Sequence, residues 1–319
     1  MKKQIVLIIL TFSLSVAFAQ RDPQFSFNMF NHMANNPGFA GASEKICARG
    51  IFHKQWIGFE GAPSTVVFSG DMPLKKINSG VGLNIIKDNN GFNSNFYMNA
   101  NYAYRLNLAD AGDLGLGLGI GFLQNAIDGT WITPDELNSA NSGIASSDPY
   151  IPEKESHLAF DLNFGAFYQM AIDKYNQLYA GLSITHLNQP TITMKSDVKA
   201  NYFARTYYLT AGYNYMLPNN LIQLRPSIFV KSDGVTSQYS INVTAMYQQS
   251  LWAGISYRFS NDISIMVGTI LKDNLHFGIA YEITMNELGT AGSIDVMLKY
   301  CFSLSKSQGK TNYRSVRYL

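Results

Sequence analysis

This sequence predicts an all-β fold: a closed antiparallel transmembrane β-barrel of about fourteen strands, preceded by an N-terminal segment that is not strand. Three observations predict it. The first is residues 114–122, Leu-Gly-Leu-Gly-Leu-Gly-Ile-Gly-Phe, where large apolar residues alternate with glycine. Strand side chains alternate between faces, so this segment has one apolar face and one bare face. Interior glycines would weaken a soluble sheet and leave nothing to pack. In a membrane barrel the apolar face meets lipid and the bare face meets a crowded or watery lumen.

The second observation is that the alternation recurs. Phe160, Leu162, Phe164 and Ala166 alternate with Asp161, Asn163 and Gly165. Tyr239, Ile241, Val243 and Ala245 alternate with Ser240, Asn242 and Thr244, and Ile294, Val296 and Leu298 with Asp295, Met297 and Lys299. Each run has roughly the nine to eleven residues that a tilted strand needs to cross a bilayer. The third is composition. Charged residues make up 14% of the chain and aromatics 13%. That charge content is about half the usual share of a soluble domain. Mean hydropathy is near zero, too low for a bundle of membrane helices. A soluble sandwich of this length would need more charge on its outer faces.

Residues 1–19 read as a secretory signal: Lys2 and Lys3, an apolar stretch over 5–16, and an Ala17-Phe18-Ala19 cleavage site. Residues 20–45 carry Phe25, Phe27, Phe30 and Phe39 among Asn28, Asn31, Asn35 and Asn36, without strand alternation. The expectation is that they lie in the lumen or across the periplasmic mouth, with Asp22 paired to a lumen cation such as Arg258 or Lys299. The barrel is expected over 46–303 and a basic tail over 304–319, with Lys306, Lys310, Arg314 and Arg317. Strands are expected near 46–54, 64–72, 79–87, 92–105, 113–124, 157–170, 176–188, 201–216, 221–231, 236–248, 251–259, 262–270, 274–283 and 292–303. Polar turns such as Asp88-Asn89-Asn90-Gly91 and Ser232-Asp233-Gly234 separate several of them. With the N-terminus periplasmic, the long connection 125–156 and the loops 55–63, 188–199 and 284–291 face outward.

Cys47 would open the first strand and Cys301 close the last. Closure makes those strands neighbours, so a seam disulfide is open to them. Without knowledge of register, two unpaired buried thiols is the preferred reading. The net charge of +2 points to no nucleic-acid partner.

No residue set reads as catalytic, cofactor-binding or metal-binding. His32, His53, His157, His186 and His276 lack metal-ligand spacing to one another or to a cysteine. His186 closes a strand, where a structural hydrogen bond is the simpler role. The glycine stripe of residues 115–121 is not followed by a helix, so it is no phosphate-binding loop. A hydrolase would need a Ser/His pair on one rim, and none stands out.

Several polar-aromatic turns belong to no strand. They are Gln20-Arg21-Asp22-Pro23-Gln24-Phe25-Ser26, Met29-Phe30-Asn31, Asn36-Pro37-Gly38-Phe39-Ala40-Gly41, and a loop with Gln55, Trp56, Gly58, Gly61, Pro63 and Thr65. Further along come His186-Leu187-Asn188-Gln189-Pro190 and a segment ending in Arg258. In these motifs the chain resembles the PorP/SprF family of outer-membrane proteins of the type IX secretion system of Bacteroidota. Arg21 and the Gly38-Phe39 pair are mild departures from the family pattern.

The resemblance implies a non-enzymatic barrel in the outer membrane of a Gram-negative bacterium, with no cofactor. It implies binding and anchoring of the C-terminal domain of a secreted surface protein, an adhesin or enzyme. Periplasmic or lipoprotein components of the secretion or gliding machinery, and outer-membrane lipid, are the further partners. The candidate partner-binding or motif residues are Asp22, Pro23, Phe25, Phe30, Asn36, Pro37, Gln55, Trp56, Gly58, Glu60, Gly61, Pro63, His186, Pro190 and Arg258. Trp56 has an equal claim to the interfacial aromatic belt. The competing functional reading is an outer-membrane channel or transporter for small solutes, because inward Asn, Ser, Thr and Gly permit a wet lumen.

Overall fold

The computed structural model describes residues 22–59, 61–127, 155–193, 199–201, 203–260, 262–272, 274–285 and 292–303. The signal, most of the long connection, Glu60 and the basic tail fall outside them. The strands are β1 (Ile46–Lys54), β2 (Ser64–Leu74), β3 (Ser79–Asn90), β4 (Asn93–Asn107), β5 (Asp113–Ile127), β6 (Glu155–Ala171), β7 (Gln177–Thr185), β8 (Thr191–Thr193) and β9 (Lys199–Asn201). They continue with β10 (Thr206–Met216), β11 (Ile222–Ser232), β12 (Ser237–Tyr247), β13 (Leu251–Arg258), β14 (Asp262–Leu271), β15 (Leu275–Thr284) and β16 (Ser293–Phe302). All but β8 and β9 form one closed antiparallel barrel of 14 strands, each beside its neighbour in sequence, with β1 sealed against β16. Strands β8 and β9 make a separate two-stranded sheet where the sequence reading expected the outward loop 188–199 and the first residue of the strand 201–216. Among the described residues no helix is long and apolar enough to cross a membrane.

The period-two pattern sets the wall. Leu116, Leu118, Ile120 and Phe122 point outward and exposed, and Gly115, Gly117, Gly119 and Gly121 point inward and buried. Two bands of outward aromatics flank this apolar surface. Tyr102, Tyr104, Tyr215, Tyr300 and Phe302 lie toward the end with short turns. Phe52, Phe96, Phe160, Tyr207, Tyr239, Tyr257 and Tyr281 lie toward the end with long loops. Amphipathic rings at both interfaces are what a bilayer-spanning barrel requires.

The seam brings Cys47 opposite Cys301, with Cα atoms 4.1 Å apart, and the two form a disulfide. This corrects the preference for free thiols. Register was the missing quantity: a slip of one residue would have put the sulfurs on opposite faces.

The lumen is not a water channel lined only by small polar groups. Inward-facing Ile51, Val67, Met246, Trp252, Met266 and Met297 form an apolar core with Phe25 and Phe27 of the N-terminal segment. A second cluster joins Met33, Ala40 and Ala103.

Candidate functional site

The N-terminal segment, residues 22–45, crosses the lumen from end to end. Asp22 lies at the long-loop mouth, beside the end of β7 and the start of β10. Ser43 bonds Arg49 near the start of β1, at the short-turn mouth. The first described residue therefore sits at the mouth opposite the start of β1. Asn28–Phe30, His32–Ala34 and Pro37–Phe39 each form a single 3-10 turn, so the backbone satisfies part of its own hydrogen bonding as it descends.

The walls supply the rest. The Ser26 amide donates to Asp295 Oδ2 at 2.7 Å. Asn31 Nδ2 donates to Ser69 Oγ at 3.0 Å, and Asn84 Nδ2 to the Met33 carbonyl at 2.5 Å. Asn36 is the most committed residue. Its Oδ1 accepts from the Gly38 amide at 2.8 Å, and its Nδ2 donates to the Ala166 carbonyl at 3.0 Å and the Leu182 carbonyl at 3.3 Å. Gly38 packs so tightly on the wall that a Cβ there would lie 2.8 Å from the carbonyl oxygens of both Gly115 and Gly165. Phe27 and Phe30 meet the ring of Trp252 at centroid distances of 6.1 Å and 4.7 Å.

Near the short-turn mouth the segment is held by a buried ion pair. Arg49 Nη1 donates to Asp71 Oδ1 at 2.5 Å and Nη2 to Ser43 Oγ at 2.8 Å, while Asp71 Oδ2 accepts from the Gly41 amide at 3.2 Å. At the long-loop mouth Asp22 accepts from His186 Nε2 at 2.9 Å and from the Tyr208 hydroxyl at 2.5 Å. Lys231 donates to the Asp22 carbonyl. His186 Nδ1 donates to Asp161 Oδ1 at 2.9 Å, so both ring nitrogens face carboxylates. Burial would push the imidazolium down, but the two carboxylates outweigh it and raise His186 to about 10. Burial pushes Asp22 up; His186, Lys231 and Tyr208 reverse this and hold its carboxyl well below the usual range. Asp22 thus pairs with His186, not with Arg258 or Lys299. Arg258 is engaged by Asp262 at 3.3 Å and Glu282 at 3.1 Å, and Lys299 lies near the opposite mouth.

Asp22, Pro23, Gln55, Pro63 and Arg258, far apart in sequence, line one cavity of about 200 Å³ at the long-loop mouth. Pro23 and His186 also line a smaller cleft next to it. Phe25, Phe30, Asn36 and Pro37 lie deeper and serve packing. The loop between β1 and β2 is fastened rather than loose. The Gln55 amide donates to the Pro63 carbonyl at 3.0 Å, the Ile57 amide to the Gly292 carbonyl at 2.8 Å, and the Gly91 amide to the Gly61 carbonyl at 3.2 Å. Trp56, Gly58 and Gly61 take positive φ of 45°, 89° and 73°, which gives the two glycines their reason. Phe59 stands 58% exposed on this loop, a ring offered to solvent or to a partner. Pro190 is buried beyond β7. Lys231 and Tyr208 were not singled out from sequence; only their inward parity on a strand could have flagged them.

A barrel whose lumen is crossed by its own N-terminal segment, with motif residues collected at one mouth, defines a plugged membrane barrel. The description "Type IX secretion system membrane protein PorP/SprF" matches residues 17–300, and the chain belongs to that family. Fold and family together mark an outer-membrane protein. No curated protein sequence matches the chain. Among solved structures it is similar to the CymD monoaromatic hydrocarbon channel, at 9% identity and a TM-score of 0.49, covering 86% of this chain and 92% of that one. It is similar also to the Pseudomonas putida toluene transporter TodX, at 9% identity and a TM-score of 0.45, covering 89% and 95%. The KdgM porin follows at 8% identity and a TM-score of 0.39, covering 80% and 99%.

Proposed function

We propose that this protein is a non-enzymatic receptor of the type IX secretion system, holding the C-terminal domain of a secreted surface protein at the outer face of the outer membrane. The observation that carries the reading is the filled lumen. Phe25 and Phe27 pack with Trp252, Met246, Met266 and Met297 inside the barrel, in the space a solute would have to pass. What remains accessible at the long-loop mouth is a cavity bordered by Asp22, Gln55 and Arg258, with Phe59 exposed on the neighbouring loop. An exposed aromatic beside a polar cavity suits protein recognition better than solute transit.

The experiment is capture from gently solubilised outer membranes, with bound proteins identified by mass, paired with a deletion strain. The expected result is one co-purifying secreted protein that is released or degraded when the barrel is absent. A cargo that stays on the cell surface in the deletion strain overturns the proposal. Stable single-channel currents from the intact protein would return the channel reading.

A further inference from the structure

We infer that the short-turn mouth holds a binding site for an organic anion, a carboxylate or phosphate carried on an apolar or aromatic body. The site is a cavity of about 520 Å³ at the end of the barrel away from the motif loops. It is separate from the proposed receptor surface, and nothing in that reading requires it.

Three cations line it: Lys45, Arg225 and Lys299. Among the described residues none of the three has a carboxylate within ion-pair distance. The Lys299 ammonium, on an inward position of β16, has no hydrogen-bond partner there either. Arg225 is aimed rather than neutralised. Its Nε and Nη2 donate to the neutral Gln223 Oε1 at 2.9 Å and 2.7 Å, which fixes the guanidinium plane and leaves Nη1 uncommitted. Glu44 is the one acid on the lining, and it stands exposed at the rim beside the equally exposed Lys45, so Arg225 and Lys299 are the cations that face inward.

The field here is positive, and Arg49 and Lys299 extend it to His32. Burial lowers His32 to about 3, with Arg49 and Lys299 acting in the same direction, so the imidazole on the cavity wall is neutral. It adds a hydrogen-bonding edge without adding charge. Cations gathered at one mouth repel one another, and an entering anion relieves that repulsion in a medium of lowered dielectric.

The other wall is aromatic. His32 sits against Phe39, Phe167 and Tyr179 at centroid distances of 5.3 Å, 5.4 Å and 4.9 Å. Phe167 and Tyr179 stack with planes 18° apart. A bare inorganic ion would leave this surface wet. A ligand with an anionic head and a flat or aliphatic body would cover both halves. Such chemistry could come free, as a small aromatic acid, or tethered, as an acidic residue beside an aromatic one in a peptide.

The test is titration calorimetry on the full-length barrel in a non-ionic detergent at low salt. One arm uses 1-naphthyl phosphate and the other a short peptide with Asp next to Phe. The expected result is saturable binding in at least one arm, and which arm binds identifies the source. Arg225→Gln and Lys299→Gln should each weaken it by about tenfold or more, the loss of one charge-assisted contact. Lys87→Gln, on the outer surface near the other mouth, should leave it unchanged. Raised salt should weaken binding to the parent protein. Heat-modifiable migration on a gel confirms that each variant is a folded barrel. No saturable binding in either arm, or binding equally strong in the two mouth variants, overturns the site.

Discussion

Gly117 faces Gly165 across the β5–β6 pair, and the Pro37-Gly38 peptide together with the Asn36 side chain fills the space that their missing side chains leave. A Cβ at Gly165 would lie 2.9 Å from the Pro37 ring, and one at Gly117 would overlap the Pro37 carbonyl. The glycine stripe is therefore a seat. Two strands give up their inward side chains so that a third backbone can lie flat against them. Gly80, two strands away on β3, does the same for Ala40 and Gly41.

The first prediction follows from that seat. Gly117→Val or Gly165→Val should lift the segment from the wall without breaking the strand, since valine suits a strand. Overpacking of this kind costs about 1–3 kcal/mol. The expected outcome is a lower melting temperature in detergent, with β-sheet circular dichroism unchanged at room temperature. Gly91→Ala, at a turn where an added Cβ meets nothing but φ is 58°, should cost less than either.

The stripe also shows how far the sequence could be read. Alternation fixed which residues face lipid, because a slip of one residue would expose every lumen group at once. Most strand ends also follow, because polar turns interrupt the pattern, but β7 stops at Thr185 and β10 starts at Thr206 where 188 and 201 were expected, since the chain leaves the wall at His186. What fills a bare face was not legible. A glycine records that something comes close and not what it is, and Gly38 and Gly117 are 79 positions apart. The partner of Asp22 was misassigned for the same reason. Inward parity offered Arg258, Lys299 and Lys231, whereas His186 has the outward parity of β7 and turns into the lumen only because the chain leaves the strand there at a φ of 54°. Register at the seam was beyond alternation too, so the Cys47–Cys301 bridge needed coordinates.

That bridge gives the second prediction. It joins residues 254 apart, so it closes nearly the whole barrel into a ring. In the chain-entropy view a loop this long contributes about 5 kcal/mol at most. Cys301→Ser should lower the melting temperature clearly, and reductant should lower the parent's to a similar value. Equal melting of oxidised and reduced protein would show that the strand pairing alone holds the seam.

The third prediction is a pH dependence of segment docking. His186 is raised from 6.5 to about 10, so its contribution is fully present below pH 6.5 and is lost as pH rises toward 10. Asp22 is depressed, so its contribution is present above its ordinary 3.8 and is lost only at strongly acid pH. Docking at the long-loop mouth should be firmest between about pH 4 and 6.5 and loosen progressively above. Protease cleavage near Asp22, followed from pH 6 to pH 10, should rise in the parent. Asp22→Asn should flatten that rise and begin from a higher level, because it removes one of the two carboxylates that hold the imidazolium.

The fourth prediction concerns the β1–β2 loop. If the long-loop mouth receives cargo, Phe59→Ala should weaken capture by tenfold or more, as removal of an exposed aromatic anchor does. The loop's own hydrogen bonds run through the backbone of Gln55, Ile57 and Gly61, so the variant should melt as the parent does. Trp56→Ala separates the two roles open to that ring. A loss of capture at constant stability assigns it to the partner. A loss of stability at constant capture assigns it to the membrane interface.

The last prediction removes the segment itself. Deletion of residues 22–42 takes away Phe25, Phe27 and Met33, whose burial stabilises the fold by about 1.5–3 kcal/mol for each side chain. It also leaves the Asn84 amide without the Met33 carbonyl, and takes one partner each from Asp295, which keeps His53, and His186, which keeps Asp161. Buried groups that lose a partner in this way cost up to a further 1–3 kcal/mol or so each unless water reaches them. Water would reach them, because the same deletion empties the centre of the barrel. The 14 strands remain hydrogen-bonded in a closed ring, so the wall need not collapse. The expected variant is a folded barrel that melts lower and conducts ions in a planar bilayer where the parent is silent. Arg49 and Asp71 stay paired with each other in it, so the start of β1 keeps its anchor. A truncated barrel as closed and as stable as the parent would mean that the wall residues alone fill the lumen, and that the segment only rests among them.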